Sequence, residues 1–292
     1  MKKNILLFVL LFILIFFHNA SITGAKNGLL LWYQVLIPSL LPFLLITNAL
    51  SETDAYTALS RHFKTLCPNK TYEFIAIIMG NLCGYPIGGK IINDFIKNNY
   101  ISAHRGKNIL SFSSQASPMF LIGYVYTHIL KQSLPLPIFL ISIYLPIILY
   151  YPFLPNNSPY QQKHHLPQKT NFKITDTFMH AVQIMVNIGL YVMIFSIALE
   201  ILLPFCHHTT SKLILSLFEI TNGLMIVQNL QLSATVKIPM IGALTAFGGF
   251  CSIFQIFSVL DFPEIQIKKY LYDKCILCTG TFFILKLYLL FY

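Results

Sequence analysis

Two short stretches of this sequence carry polar and flexible groups in the middle of apolar runs. Gly84-Tyr85-Pro86-Ile87-Gly88-Gly89-Lys90 combines turn-forming glycines, a proline and a cation. Glycine lets a chain reverse and lets backbone N–H groups come close to a ligand. Lys90 could meet a carboxylate there, or run its stem along apolar surface to the interface. Glu219-Ile220-Thr221-Asn222-Gly223 puts a carboxylate in a second apolar run. A buried charge in a membrane is paired, protonated or liganded, so Glu219 is expected to bind a proton, Na⁺ or a solute, or to meet a partner such as Lys90 or Ser113. Ser111, Ser113, Ser114, Gln115, Ser117 and Pro118 crowd a third segment. That density suits a broken helix facing a cavity, with helix–helix packing as the plainer alternative. In the fourth stretch, Phe247-Gly248-Gly249 interrupts a helix, and Ser252 and Gln255, three apart, share a face.

These residues need elements to hold them, and composition says in which solvent. Apolar residues make up 55% of the 292, charged residues only 10%, and mean hydropathy is +0.66. A soluble domain carries roughly 25% charged residues, so a bilayer suits this chain better. Apolar segments recur at 5–23, 28–50, 72–93, 108–130, 134–154, 178–204, 211–230, 238–260 and 275–292. Lys2-Lys3 before the first resembles a signal peptide, but the many later spans favour a retained helix. Segments 72–93 and 211–230 are poor as continuous spans, because irregular backbone and carboxylates at membrane depth need a protein or water-filled surround.

The fold expected is therefore an all-α polytopic membrane protein with two re-entrant hairpins, 72–93 and 211–230. With the N-terminus cytoplasmic and both hairpins returning to the side they leave, fifteen basic residues, Lys274 among them, fall on the cytoplasmic side. Four fall opposite: Lys26, Lys131, Lys212 and Lys237. Helix, hairpin and interrupted helix then occur twice with opposite orientation, an inverted repeat. The divisions are an N-terminal membrane helix at 1–27, a first repeat with connecting helix at 28–154, a cytoplasmic linker at 155–177, a second repeat at 178–260, and a C-terminal loop and helix at 261–292.

Other classes fit less well. The net charge of +10 has no basic helix or aromatic–basic patch behind it, so no nucleic acid is expected. Cys275-x-x-Cys278 and Cys206-His207-His208 lack a second ligand pair nearby, so no metal is expected. No Ser/His pair or paired acidic motif lies at membrane depth, and no enzyme is expected. The expectation is a transporter without cofactor, with H⁺ or Na⁺ as candidate coupling ions. Its partners would be the lipid bilayer and a small anionic solute, and a homo-oligomer is compatible. Half-helix N-termini would face the solute's carboxylates. Ser113, Ser114, Asn222, Ser252 and Gln255 would supply neutral hydrogen bonds, and Tyr85 or Phe247 would stack on a ring.

In order along the chain, Ala25-x-x-Gly28-x-x-x-Trp32, Val35 to Phe43, Gly84-Tyr85-Pro86-x-Gly88-x-Lys90, Ser117-Pro118-Met119-Phe120, Glu219-x-Thr221-Asn222-Gly223 and Phe247-Gly248-Gly249-x-x-Ser252-x-x-Gln255 resemble the YlbJ/SpoVV family of sporulation integral membrane proteins. Here Gly89 and Ser117 stand where the family has alanine and glycine. The resemblance implies a nucleoside-recognition (Gate) domain similar to concentrative nucleoside transporters. It also implies endospore formation, location in the outer forespore membrane and passage of dipicolinic acid. A nucleoside-like solute, or a scaffold that transports nothing, are the rival readings.

Overall fold

The computed structural model describes residues 2–51, 53, 55–64, 70–155, 174–261 and 266–291, and every regular element among them is helical. The expected linker at 155–177 falls almost wholly outside the described residues. Among the described residues, five helices are long and apolar enough to cross a membrane: His18–Ser51, Leu136–Phe153, Phe178–Phe205, Ala234–Ser258 and Ile267–Phe291. Apolar side chains such as Ile22, Ile46, Ile148, Ile194 and Leu287 stand exposed along such helices, as a lipid-facing surface requires.

The first of these helices corrects the sequence reading. The expected spans 5–23 and 28–50 are not separated near residue 25. The chain breaks instead at Phe17, between Lys2–Phe16 and a helix that runs from His18 to Ser51 through a wide π turn at Trp32–Leu36. The polar stretch from His18 to Asn27 is helical because nothing in it obliges the backbone to stop. Gly24 and Gly28 press that helix against Ile174–Leu202. A Cβ on Gly24 would stand 2.6 Å from the Ile197 Cα, and one on Gly28 2.7 Å from the Met193 Cα. Small residues four apart permit this backbone approach between membrane helices. Lower down, the Trp32 indole donates to the Met185 carbonyl at 2.8 Å. Positions rising along one helix meet positions falling along the other, so the two run antiparallel.

Two short helical pairs come later in the chain, one after each of these long helices. Thr71–Cys83 ends at Gly84, whose φ of +103° favours glycine, and Tyr85–Lys97 begins at once with Pro86 in its first turn. Gly80 and Gly88, four residues either side of Gly84, face each other, and the Tyr72 and Tyr100 rings stack at 4.4 Å near the free ends. The chain therefore enters and leaves this first hairpin at one end of the molecule. Thr209–Ser216 and Ile220–Asn229 form the second, closed where Gly223 abuts the Ser216 carbonyl.

Two broken helices pack on these hairpins. Ala103–Ser113 stops at Ser114, and the chain resumes at Pro118, where Ser117 caps the new helix by accepting from the Phe120 N–H. Ala234–Phe247 stops at Gly248, φ +89°, in a left-handed cap, and Gly249–Ser258 carries on. The closing helix, Ile267–Phe291, lies antiparallel to Ala234–Phe247 and to Leu136–Tyr150.

Polar contacts mark two ends. At one, Lys97 pairs with Asp261 at 2.5 Å, and Arg105 is paired with Glu73 and donates to the Pro155 carbonyl. At the other, Gln228 donates to the Ile129 carbonyl, Lys237 to the Gln228 carbonyl and Lys286 to the Thr235 carbonyl. Thr235 and Asp261 flank opposite ends of the same broken helix, so the two clusters lie at its opposite ends.

Candidate solute pocket

Both chain reversals and both helix breaks converge on one pocket. Its walls include Gly84, Tyr85 and Pro86 from the first hairpin and Glu219 and Ile220 from the second. Ala116 and Ser117 come from the first break, and Cys251, Ser252 and Gln255 from just past the second. Leu36, Ser39 and Leu40 of the long first helix, Phe120 beyond the first break and Val192 of the antiparallel partner complete the wall. The room inside is about 30 Å³, enough for a water or a small ion.

Glu219 is the carboxylate of this pocket and is 1% exposed. It sits at the N-cap of Ile220–Asn229 with an extended backbone. Its oxygens accept from the Thr221 N–H at 3.0 Å and the Asn222 N–H at 2.8 Å. A helix N-terminus carries about half a positive charge and unpaired donors, so this carboxylate is held by the helix it starts. Lys90 and Ser113 do not partner it. Lys90 pairs with Asp94 one turn on at 2.6 Å, and the Ser113 hydroxyl donates to the Leu110 carbonyl.

The first tip is built differently. Gly84 offers no side-chain cap to Tyr85–Lys97. Tyr85 reaches into the other half, where its hydroxyl donates to the Thr245 carbonyl at 2.6 Å and its ring packs on Gly248. At the second tip, backbone joins backbone. The Phe250 N–H donates to the Leu217 carbonyl at 2.7 Å and the Cys251 N–H to the Phe218 carbonyl at 2.9 Å. Donors freed by the second break thus meet acceptors freed by the second reversal, as burial away from water demands.

Of the residues singled out in the sequence, Gly84, Tyr85, Pro86, Ser117, Glu219, Ser252 and Gln255 line the pocket. The others serve the frame around it. Gly88 lies against the Ser113 carbonyl, and Gly223 against that of Ser216. The Asn222 amide donates to the Ser196 hydroxyl at 3.0 Å. Phe247, Gly248 and Gly249 form the second break, Ser113 and Ser114 the first, and Thr221 lies in the capped turn. The idea that half-helix N-termini face a solute's carboxylates needs correction at the second hairpin, where Glu219 already fills that position.

Sequence reasoning missed the most deeply buried charges. Lys274, counted among cytoplasmic loop residues, is 0% exposed inside the closing helix, so the count of fifteen loses it. The span expected to begin at 275 begins at Ile267. The Lys274 ammonium donates to the Ser114 carbonyl, and to that of Ala246 at 3.3 Å, and lies 5.3 Å from the centre of the Tyr85 ring. Asp273, 1% exposed, accepts from Ser111 at 3.0 Å, Tyr150 at 3.1 Å and Lys269 at 2.9 Å. The signal available was Lys269 and Asp273, four apart at the edge of an apolar run.

The chain is similar to the sporulation integral membrane protein YlbJ of Bacillus subtilis (strain 168), with 21% identity over 86% of this chain and 73% of that protein. No family model matches the chain, and no solved structure is similar to it.

Proposed function

We propose that this integral membrane protein is a carrier, not an enzyme, that moves a small polar solute through the pocket between its two hairpin tips. The carrying observation is that both chain reversals, the first helix break and the start of the helix beyond the second meet at one place, where Glu219, Ser117, Ser252 and Gln255 stand in an otherwise mostly apolar wall. Non-helical backbone at membrane depth is tolerated where it is buried in protein or lines a cavity. In this reading the hairpins are re-entrant and dip from opposite faces. The two halves would form an inverted repeat, a reading that the antiparallel leading helices support, with one half rocking against the other. The small pocket is then a closed state, and an organic solute enters only after the tips separate.

The solute favoured is an organic anion, dipicolinate by resemblance, moving during spore formation with a proton on Glu219. A carboxylate facing a dianion would repel it unless neutralised. Similarity to a sporulation integral membrane protein supports that setting; an outer forespore membrane location with the N-terminus cytoplasmic is part of the same proposal. A neutral nucleoside-like solute is the second reading. It is favoured by a lining that offers Ser39, Ser117, Ser252, Gln255 and Glu219 but no Lys or Arg.

Uptake into proteoliposomes separates these readings. Labelled dipicolinate should accumulate faster under an inward proton gradient, and Glu219→Gln should abolish the dependence on that gradient. Nucleoside uptake indifferent to pH would instead select the neutral solute. Absence of flux for both, from protein with normal unfolding behaviour, would leave a scaffold.

A further inference from the structure

Lys274 has surroundings that suit a bound ion better than a structural lysine. No carboxylate pairs with it among the described residues, because the adjacent Asp273 is taken by Ser111, Tyr150 and Lys269. What surrounds the ammonium is the carbonyl of Ser114, just past the end of Ala103–Ser113, and that of Ala246, in the last turn of Ala234–Phe247. Each helix C-terminus carries about half a negative charge, so the two together match one monovalent cation. The rings of Tyr85 and Tyr270, 5.3 and 5.8 Å from the ammonium, add the attraction of aromatic faces for a cation. The Ser114 hydroxyl beside the first of these carbonyls is buried and has no hydrogen-bond partner.

In membrane carriers, half-helix C-termini and unwound carbonyls are where a free coupling cation is coordinated. We infer that Lys274 is a tethered cation occupying a monovalent-cation site made by the ends of both broken helices, and that the protein therefore needs no free sodium at that point. The ammonium holds the two breaks together from behind Tyr85, the residue that forms part of the pocket wall. This goes beyond the carrier reading and does not require it.

The test reads unfolding of the purified protein in detergent, so its failure and the failure of the carrier reading are separable. Unfolding temperatures are compared in choline chloride and with sodium, ammonium or methylammonium chloride replacing it at constant ionic strength. The wild type should be indifferent to the replacement. Lys274→Ala empties the site, leaves two carbonyls unsatisfied and should lower the unfolding temperature by roughly 5–10 °C. Ammonium or sodium, but not choline, should recover at least about half of that loss with a saturable dependence, as ligand binding to the folded state requires. Lys274→Gln keeps N–H donors for the carbonyls without the charge, and should fall below the wild type with no cation-specific recovery. Stabilisation of the wild type by sodium, no recovery of Lys274→Ala by any small cation, or a Lys274→Gln as stable as the wild type would each overturn the inference. Where Lys274→Ala yields no folded protein, the other two comparisons decide it.

Discussion

The two hairpins have the same outline and are secured at opposite ends. The first is fixed at its base. Arg105 holds Glu73 through Nε at 2.7 Å and Nη2 at 2.5 Å, Tyr151 adds a hydroxyl at 3.0 Å, and the whole cluster is buried or nearly so. Its tip is held across to the other half by the Tyr85 hydroxyl and ring packing. The second is fixed at its tip by the two backbone bonds to Phe250 and Cys251. Its base has no ion pair among the described residues. A side-chain hydroxyl bond can be remade with water or solute in its place. A pair of buried backbone bonds cannot be broken without stranding two amides and two carbonyls. The first tip is therefore joined to the other half through a side chain, and the second to its broken helix through backbone.

Arg105→Ala should do the most damage to that asymmetry. It strands Glu73 in the interior, and breaking a buried pair from one side costs about 3–5 kcal/mol. Thermal unfolding in detergent, with proteolysis mapped to the 64–105 region, should show the first hairpin opening from its base. Gly88→Ala and Gly223→Ala come next. Each new methyl would collide with a backbone carbonyl, Ser113 or Ser216, for an overpacking cost of about 1–3 kcal/mol. Equal losses at both positions are expected from the shared outline. A near-neutral Gly88→Ala would mean that the first hairpin and its break can slide apart. Glu219→Gln should cost less, on the order of 1 kcal/mol, because an amide still offers one acceptor to the helix start. A loss several times larger would show that the second tip depends on its charge and not on its backbone bonds.

The smallest effect is at Asp261, whose carboxyl is held below its ordinary range chiefly by the Lys97 hydrogen bond and next by that of Asn93. A carboxyl with a depressed folded value stabilises above its unfolded value of about 3.9 and loses that contribution as pH falls through the folded one. The pair is exposed, so solvent limits it to roughly 0.2–1 kcal/mol. Asp261→Asn should therefore lower stability slightly at neutral pH and make no difference in strong acid, as read from unfolding midpoints across pH.

The reversal at Gly84 and the break at Gly248 were legible in the sequence, because both need positive φ and carry glycine. So was the isolation of Glu219 in an apolar run, although not the helix start that holds it. Lys274 and Asp273 were not legible. Their partners are the carbonyls of Ser114 and Ala246 and the side chains of Ser111 and Tyr150, which only folding brings near. A span boundary drawn from hydropathy stops where the charges begin, and so places such residues outside. The boundary at Phe17 failed for the converse reason. Polar residues between His18 and Asn27 lower hydropathy without ending a helix.

The helix from His18 to Ser51 has 34 residues, about 51 Å at 1.5 Å per residue, against a hydrocarbon layer about 30 Å thick. Tilt can absorb part of such an excess, and the stretch that carries His18, Asn19, Lys26 and Asn27 is polar enough to sit among headgroups. Beyond it, Lys2–Phe16 exposes Leu7, Phe8, Phe12 and Phe16 and is too short to cross. Membrane depth should thus set the angle between these two segments. A thicker, more ordered bilayer would draw the polar stretch inward, and a thinner one would lay the greasy leader along its surface.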